Sequence, residues 1–412
     1  MLTRRQFLQR SAVVGAATSI APTFLWRARV ARGSSEGAPA ATPNDRTLVI
    51  VQMAGGNDGL NMIVPYQDGN YHSARPTLGV DPSTVLVLND QLGLNPAMTK
   101  LKSVWDSQQL AVLEGIGYPN PDFSHFKSMA IWHTASPTGD FTDGWLGRYF
   151  KQTGAESNAL FGGINIGAAL APALIESGIT IPSVLSPAAY KLTLDPRDAQ
   201  ARLEAWEDLQ IAAQARQTYL PLIGSASLNA YKSAQELSTV VSGYKPAADY
   251  GKDPLSNGLK ILASVITQEP GTKIGWVTMG GFDTHTNERK TQDGLLGTLS
   301  DALANFQADI AAQGKADNVL LVTWTEFGRR VMENGSQGTD HGEGGSMLVM
   351  GGQVKSGIYG EAPDLANLVD SGNLKWTTDF RSVYATLLED WLGVDSSAIL
   401  GGQYPHIPFV AA

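Results

Sequence analysis

Short apolar runs alternate with amphipathic stretches along most of the chain. Nearly continuous apolar runs bounded by turn residues are typical of strands buried in a parallel sheet. Such runs occur at Leu48–Met53, Leu110–Glu114, Ile274–Met279 and Val319–Thr323. Helical spacing of apolar residues marks the stretches Leu295–Ile310 and Phe380–Trp391, and Asn95 with Pro96 forms an N-cap and N1 pair that opens a helix to about Ser107. Because strands and helices alternate, we predict an α/β fold with a doubly wound, mainly parallel sheet.

The first 40 residues differ in character from the rest. Thr3–Leu8 has the twin-arginine form T-R-R-Q-F-L, and an apolar stretch, Ser11–Leu25, follows it. That stretch is shorter than the roughly 20 residues that span a bilayer, and Pro22 interrupts it. We therefore predict a removable twin-arginine signal in residues 1–40, with an A-x-A cleavage pattern at Ala38–Ala40. The alternative is an amphipathic first helix of the mature fold.

The remaining chain is predicted to form a single α/β domain over residues 41–412. Ser34–Asp45 is rich in proline, alanine and serine, as linkers are, so the folded part should begin near Arg46. The stretch from about Asp195 to Gly243 is polar, rich in alanine and without a strand pattern. We interpret this stretch, about 195–243, as an inserted helical segment.

Composition excludes several classes of site and partner. The chain has no cysteine, so disulfides, thiolate metal sites and cysteine nucleophiles are impossible, and a metal must be bound by histidine, carboxylate or backbone oxygen. Its net charge is −9, and removal of residues 1–40 would take away six arginines and one glutamate. So acidic a surface repels nucleic acid and anionic lipid, which excludes both as main partners.

A glycine-rich loop, Gly55–Gly59, directly follows the first predicted strand. Ligands of open α/β sheets bind outside the carboxyl ends of the strands, where this loop lies. Asp58 in the loop could ligate a hard cation or orient a nucleophile. The alternative is that Asn57 and Asp58 form a turn for purely backbone reasons.

A second loop, Gly280–His285, follows the strand Ile274–Met279. Asp283 and His285 are two residues apart, so on an extended segment both side chains point to the same side and could reach one ion. The alternative is a capping aspartate beside a surface histidine.

A third loop, Gly338–Gly345, precedes the apolar run Met347–Met350. Its adjacent Asp340 and His341 are flanked by glycines, which leave room for a metal or an anion to approach closely. A flexible turn with solvated charges is the alternative.

Together these motifs resemble the DUF1501 family over about Leu48 to Leu392. The resemblance is carried by Gly55–Tyr66 (GGNDGLNMIVPY), Ser124–Phe126 (SHF), Gly280–His285 (GGFDTH), Thr325–Arg329 (TEFGR) and Thr339–Gly342 (TDHG). The family is similar in turn to the alkaline phosphatase and sulfatase superfamily, whose members have a metal centre at the carboxyl edge of a mixed sheet. The resemblance implies an alkaline-phosphatase-like three-layer sandwich with a mixed, mainly parallel sheet.

The same resemblance implies roles for particular residues. It places metal ligands on Asp58, Asp283, His285, Asp340 and His341. It places the nucleophile near Ser124, at the start of an apparent helix whose N–H groups would stabilise a phosphate or sulfate oxyanion. Ser124 is alternatively a plain N-cap. His125 could be a ligand or a base, and His133, two turns on, is expected to pack in the core.

The pattern departs from the superfamily after the strand Val319–Thr323, where Glu326 stands in place of an Asp-His pair. Glu326 is therefore a candidate added ligand or base. A later metal-ligating histidine is also expected, and beyond His341 the chain has only His406.

These features favour a metal-dependent hydrolase of phosphate or sulfate esters, periplasmic or secreted, with Ser124 and Glu326 as its catalytic candidates. Mixed histidine and carboxylate ligands favour Zn or Mn. The expected partners are a small-molecule or polymer ester and, during export, the twin-arginine translocase, with no nucleic acid and no stable membrane insertion after cleavage. The alternative is a non-catalytic member of the superfamily that binds a polymer or a partner protein in the periplasm.

Overall fold

The computed structural model describes residues 45–157, 159–187, 201, 204–206, 208–209, 233–370 and 372–411. The strands are β1 (Thr47–Ala54), β2 (Ile63–Val64), β3 (Leu86–Val87), β4 (Gly93–Leu94), β5 (Leu110–Gly117), β6 (Gly163–Ile166), β7 (Ser183–Val184), β8 (Ile274–Gly280), β9 (Val319–Trp324), β10 (Gly328–Arg329), β11 (His341–Gly342), β12 (Gly345–Gly351), β13 (Gly357–Tyr359) and β14 (Thr378–Asp379).

Most of these strands belong to one central sheet. Its order within the described part of the chain is β13-β5-β12-β9-β1-β8-β6-β7, and β14 also pairs with β5. Every neighbouring pair is parallel except those of β12, which runs antiparallel to both β5 and β9. Two small sheets, β2-β4-β3 and β10-β11, lie outside it. The predicted mixed, mainly parallel sheet is confirmed.

Helices flank the sheet. They are α1 (Gly59–Met62), α2 (Gly69–Ala74), α3 (Thr99–Asp106), α4 (His125–Thr134), α5 (Trp145–Thr153), α6 (Pro254–Gln268), α7 (Glu288–Ala312), α8 (Phe380–Thr386) and α9 (Ser397–Leu400), and α8 continues into a π-helical turn at Leu387–Trp391. Among the described residues, no helix has both the length and the apolar character needed to cross a membrane.

Alternate residues of β1 enter two separate cores, because successive side chains of a strand point to opposite faces of a sheet. Val49 and Val51 pack in the core that includes apolar residues of α3, α6 and α7. Leu48 and Ile50 pack in the core that includes those of α4, α5 and α8. The sheet therefore lies between two layers of helices, which is the three-layer arrangement expected.

The predicted strands are observed, each extended by one to three residues. The first predicted helix begins later, at Thr99, because Asn95 Oδ1 accepts a hydrogen bond from Ala97 N and holds a turn there. Strands β6, β7, β13 and β14 were not predicted, since two to four residues are too few to show a period.

Two predicted segments fall mainly outside the described residues. The twin-arginine signal, residues 1–40, lies wholly outside them. In the helical segment predicted at about 195–243, the described residues 201, 204–206, 208–209 and 233–243 are helical. The inserted segment and the division into a signal and one domain remain predictions.

His133 on α4 is a core residue, as expected. It is 4% exposed, and its ring centroid lies 5.4 Å from that of Trp276 and 5.2 Å from that of Trp324. Its Nδ1 has no hydrogen-bond partner, and burial lowers the pKa of His133 to about 3. The folded protein therefore keeps this imidazole neutral at physiological pH.

We expect His133→Phe to make the protein less sensitive to acid. The unfolded chain protonates this histidine near pH 6.5, whereas the folded chain does so only near pH 3. Because the unfolded state binds more protons, the parent loses stability as the pH falls from about 6.5 towards 3. At pH 4 the loss from this residue is about 3 kcal/mol. Urea unfolding at pH 7 and pH 4 measures it, and equal losses in parent and variant would contradict the prediction.

Candidate metal centre

Several loops meet at one edge of the central sheet. The parallel strands β1, β5, β8 and β9 end at this edge, so the segments that follow them gather there. Strand β12 runs the other way and begins at the same edge. The loop that precedes β12, with Asp340 and His341, therefore meets the loops that follow the parallel strands.

His125 is the first residue of α4 and is held by a buried carboxylate. Its Nδ1 lies 2.8 Å from Oε1 of Glu326, which is 0% exposed and also accepts a hydrogen bond from Gly55 N at 2.9 Å. Its Nε2 lies 3.4 Å from Oδ2 of Asp283. With Nδ1–H donated to Glu326, Nε2 carries the lone pair and is directed towards Asp283.

His341 is held in the same way by a backbone carbonyl. Its Nδ1 lies 2.8 Å from the carbonyl oxygen of Phe123, which can only accept, so Nδ1 carries the proton and Nε2 the lone pair. Nε2 lies 3.2 Å from Oδ1 of Asp283. Burial lowers the pKa of His341, although the Phe123 carbonyl and the Asp283 carboxylate favour the protonated ring. The imidazole is therefore a neutral potential ligand at pH 7.

Asp283 is the carboxylate between these two histidines. Burial alone would raise the pKa of Asp283, but the hydrogen bond and the positive charge of Arg329 outweigh it and lower the pKa to about 2. Arg329 Nη2 lies 2.8 Å from Asp283 Oδ1. The guanidinium of Arg329 is buried and also donates to the carbonyls of Gly55, Gly56, Phe282 and Thr339. Arg329 therefore holds these loops together and stabilises the ionised form of Asp283.

His285 and Asp340 complete the cluster at its exposed side. His285 Nε2 lies 3.1 Å from Asp283 Oδ1 and 3.0 Å from His341 Nε2. His285 Nδ1 lies 3.3 Å from Oδ1 of Asp340, and a hydrogen bond from Asn334 lowers the pKa of Asp340. If the ionised Asp340 accepts Nδ1–H, the Nε2 lone pairs of His285 and His341 face each other, an arrangement that a proton or a cation between them would stabilise.

The residues fit a divalent cation. Donor atoms of His125, Asp283 and His341 all lie within 4.8 Å of one another, and Nε2 of His285 lies close to two of them. Two imidazoles and a carboxylate are a common donor set for zinc. Each imidazole also has an outer partner at Nδ1, as histidines that bind metals usually do.

We expect Glu326→Gln to weaken divalent cation binding about 10–100-fold, the usual effect of removing an outer carboxylate partner. Glutamine keeps the shape but supplies a weaker acceptor for His125 Nδ1–H. Titration calorimetry with Zn²⁺ against the parent measures the change. Glu333→Gln is the matched control, since Glu333 accepts hydrogen bonds only from Thr77 and Leu78 in the contacts observed. Equal Zn²⁺ affinity of Glu326→Gln and the parent would show that Glu326 does not support metal binding.

Comparison of the sequence with family models identifies the family to which this chain belongs. Residues 88–401 match the model of the family described as "Protein of unknown function (DUF1501)". The chain belongs to the DUF1501 family. The match includes every residue of the cluster described above but not Asp58. A search of curated proteins finds no significant match to this DUF1501 protein.

Solved structures similar to this DUF1501 protein are distant. The zinc complex of the C-terminal periplasmic domain of EptC from Escherichia coli is 12% identical with a TM-score of 0.38, and the alignment covers 85% of this chain and 83% of that one. The PsFucS1 sulfatase from Pseudoalteromonas sp. is 10% identical with a TM-score of 0.41, covering 89% and 71%. The lipoteichoic acid synthase LtaP from Listeria monocytogenes is 9% identical with a TM-score of 0.38, covering 88% and 75%.

Of the five ligands predicted in this DUF1501 protein, Asp283, His285, Asp340 and His341 contact one another, whereas Asp58 is paired with Arg75. Asp58 is fully buried, and Arg75 binds both of its carboxylate oxygens, at 2.5 and 2.9 Å. Arg75 is fully buried as well. Asp58 is therefore observed as the partner of a buried guanidinium, and its role as a metal ligand remains a prediction.

Ser124 lies at the N-cap of α4, directly before His125. It is exposed, its side chain does not cap the helix, and its backbone N–H donates to Oδ1 of Asp122 at 2.8 Å. The hydroxyl therefore lies next to the cluster in sequence without being used to hold the helix. Its role as nucleophile remains a prediction.

Sequence reasoning named His125 but left it out of the predicted ligands. The feature that indicates His125 is its position in the segment after the predicted strand Leu110–Glu114. The carboxyl end of that strand reaches the same edge of the central sheet. The Phe123 carbonyl could not be found in this way, because a backbone acceptor leaves no mark on residue type.

Proposed function

We propose that this DUF1501 protein is a metal-dependent hydrolase of phosphate or sulfate esters. The observation that carries the proposal is the convergence of His125 Nε2, His341 Nε2 and the Asp283 carboxylate, with each imidazole anchored at Nδ1. Such anchoring fixes both the tautomer and the ring orientation before a ligand arrives. Sites organised in this way are typical of metal centres rather than of solvated surface charges.

A divalent cation held there would supply positive charge that stabilises the negative charge developing on the oxygens of the ester. The chain itself contributes the start of α4, a helix of ten residues, where first-turn N–H groups favour an anion. Ser124 is the proposed nucleophile at this position, and Glu326 positions His125. Asp283, His285 and Asp340 have half-exposed side chains, which leaves the cluster open to a substrate.

The ligand set that we propose is His125, Asp283 and His341, with His285 and Asp340 at the exposed side of the cluster. His125 enters it, because its lone pair is directed at Asp283. Asp58 leaves it, because Arg75 occupies its oxygens. Zn and Mn remain the favoured cations for two imidazoles and a carboxylate.

Elemental analysis of the purified protein, beside hydrolysis of p-nitrophenyl phosphate and p-nitrophenyl sulfate, tests the proposal. We expect near-stoichiometric metal and turnover of one ester, both lost with a chelator and restored by the cation. The double variant Asp340→Ala with His341→Ala should lose both. His406→Ala is the matched control, because His406 also contacts carboxylates but lies outside the cluster. A parent that binds no metal after supplementation would overturn the proposal and favour a non-catalytic binding protein.

We also infer that the protein is exported folded by the twin-arginine route. Thr3–Leu8 and the short apolar stretch after it support this inference. Replacing both Arg4 and Arg5 by lysine should leave the precursor in the cytoplasm, as measured by cell fractionation, whereas equal export of the variant would contradict it.

A further inference from the structure

Arg330 follows β10 and lies opposite Asp340, one of the residues at the exposed side of the proposed metal centre. Strand β10 pairs antiparallel with β11, so that Arg329 faces His341. One residue further along, Arg330 N donates a hydrogen bond to the carbonyl oxygen of Asp340 at 2.9 Å. The Cβ atoms of residues that face each other in an antiparallel pair are about 5 Å apart. The side chain of Arg330 therefore begins next to that of Asp340.

The guanidinium of Arg330 has no partner in the part of the chain that the structure describes. Its Nε is buried without a hydrogen bond, whereas its two terminal nitrogens are unbonded but not buried. No carboxylate of the described residues forms an ion pair with it. The other arginines of the described residues all donate hydrogen bonds from their side chains, and they are Arg46, Arg75, Arg148, Arg289, Arg329 and Arg381. Arg330 is thus the described arginine whose terminal N–H groups are all free for a ligand.

Asp340 does not use up this positive charge. Its Oδ1 lies 3.3 Å from His285 Nδ1 and 3.2 Å from Asn334 Nδ2. The hydrogen bond from Asn334 is the largest cause that lowers the pKa of Asp340, and the positive charge of Arg330 lowers that pKa further. Arg330 therefore acts on the exposed side of the centre through its charge, while its terminal N–H groups remain unoccupied.

Tetrahedral oxyanions match this free guanidinium. Its parallel N–H groups can donate to two oxygens of one phosphate or sulfate group, and both partners are charged. The buried Nε–H carries a desolvation cost that no described residue compensates, so a counter-charge at the terminal nitrogens would stabilise the side chain. A divalent cation at the centre would offset the charges of Asp283 and Asp340, which otherwise repel an anion. An ester anion that approaches the centre is then attracted by Arg330.

We propose that Arg330 binds the terminal oxygens of the phosphate or sulfate group of the ester. This inference rests on the proposed function, because it takes the proposed metal centre as the place where the ester binds. Arg330 is neither a metal ligand nor the nucleophile in this scheme. It contacts the substrate and sets the affinity of the site for the anionic group.

Titration calorimetry with inorganic phosphate and with sulfate, on zinc-loaded protein freed of excess Zn²⁺, tests this proposal. We expect the parent to bind at least one of the two anions, and Arg330→Gln to bind it about 10–100-fold more weakly, because hydrogen bonds to a charged group are lost. Arg330→Lys keeps the charge without the paired N–H groups, so its affinity should lie between the two. Equal affinity of Arg330→Gln and the parent, or a parent that binds neither anion, would overturn the proposal.

Lys355→Gln is the matched control for the loss of one positive charge. Lys355 is exposed and follows the carboxyl end of β12, which runs away from the centre, so it lies at the opposite edge of the sheet. Its variant should bind both anions as the parent does. An equal loss in Lys355→Gln and Arg330→Gln would assign the effect to net charge and contradict a contact with Arg330. Arg330→Gln should also keep the Zn²⁺ affinity of the parent, because Arg330 supplies none of the converging donor atoms.

The two anions distinguish the two classes of ester. A larger loss for phosphate in Arg330→Gln assigns the site to phosphate esters, and a larger loss for sulfate assigns it to sulfate esters.

Titrations of the metal-free protein separate failure of this proposal from failure of the proposed function. A parent that binds no Zn²⁺ overturns the proposed function, and the anion affinities of the metal-free parent and Arg330→Gln then decide the role of Arg330. A parent that binds Zn²⁺, with no effect of Arg330→Gln on either anion, overturns the role of Arg330 alone.

Discussion

Replacing His341 by alanine is expected to remove most of the affinity of this protein for divalent cations. The loss should exceed the roughly 10–100-fold expected for an outer partner such as Glu326, because Nε2 of His341 is itself one of the three converging donors. Removing it leaves the His125 imidazole and the Asp283 carboxylate with the more exposed His285, which form a weaker zinc site than the parent set. Calorimetric titration of the metal-free protein with Zn²⁺ measures the change.

Two further histidine variants sharpen this prediction. His125→Ala should cause a loss as large as that of His341→Ala, since His125 supplies the other anchored imidazole. His285→Ala should have a smaller effect, because His285 lies at the exposed side of the group. If His285→Ala abolishes binding while His125→Ala retains it, the ligand set is His285, Asp283 and His341, and the proposed role of His125 is wrong.

The three histidine variants, His125→Ala, His285→Ala and His341→Ala, should all keep the fold. The histidines and Asp283 lie at the edge of the sheet and are partly exposed, so truncating them opens no large cavity. Unfolding in urea should therefore give similar free energies for the metal-free parent and the variants. A variant that loses metal because it unfolds would show this in the same measurement.

The strands and the edge at which they end could be predicted from the sequence because they follow from local pattern. The runs Leu48–Met53 and Ile274–Met279 are apolar except at Gln52 and Thr278, which is the nearly continuous pattern of strands buried in a parallel sheet. Parallel strands place the following loops at one edge, so Asp283 and His285 were correctly expected there. The same rule explains why three glycine-rich loops hold the candidate residues.

The direction of β12 could not be predicted in this way. A run such as Met347–Met350 looks the same whichever way its strand runs, so its pairing with β5 and β9 had to be observed. Its antiparallel direction is what brings Asp340 and His341, which precede it, to the edge where the other loops end. The resemblance to a known family placed these two residues together with Asp283, but the physical reason lies in strand direction.

The partner of Asp58 could not be predicted from the sequence. Its position after β1 is the expected one for a ligand, and only the fold reveals that Arg75, 17 residues later, binds both of its oxygens. Arginine is common on surfaces, and nothing in the local pattern around Arg75 indicates burial. A partner brought in by tertiary packing thus decides what the aspartate does.

We expect Arg75→Met to destabilise the fold by about 3–5 kcal/mol, the usual cost of leaving one member of a buried ion pair without its partner. Both side chains are at most 1% exposed. Burial would raise the pKa of Asp58, but the Arg75 guanidinium outweighs it and holds that pKa below its usual value. Without Arg75 the carboxylate must stay charged in an apolar setting or take up a proton. Urea unfolding at pH 7 measures the loss.

The double variant Arg75→Met with Asp58→Asn should be less destabilised than Arg75→Met alone, because no unpaired charge then stays buried. It should also bind Zn²⁺ as tightly as the parent, since neither residue belongs to the proposed ligand set. A double variant that folds but does not bind Zn²⁺ would show that Asp58 is a metal ligand. In that case the guanidinium would have to release the carboxylate when the cation binds, and metal binding and the stability of the Asp58–Arg75 pair would be coupled.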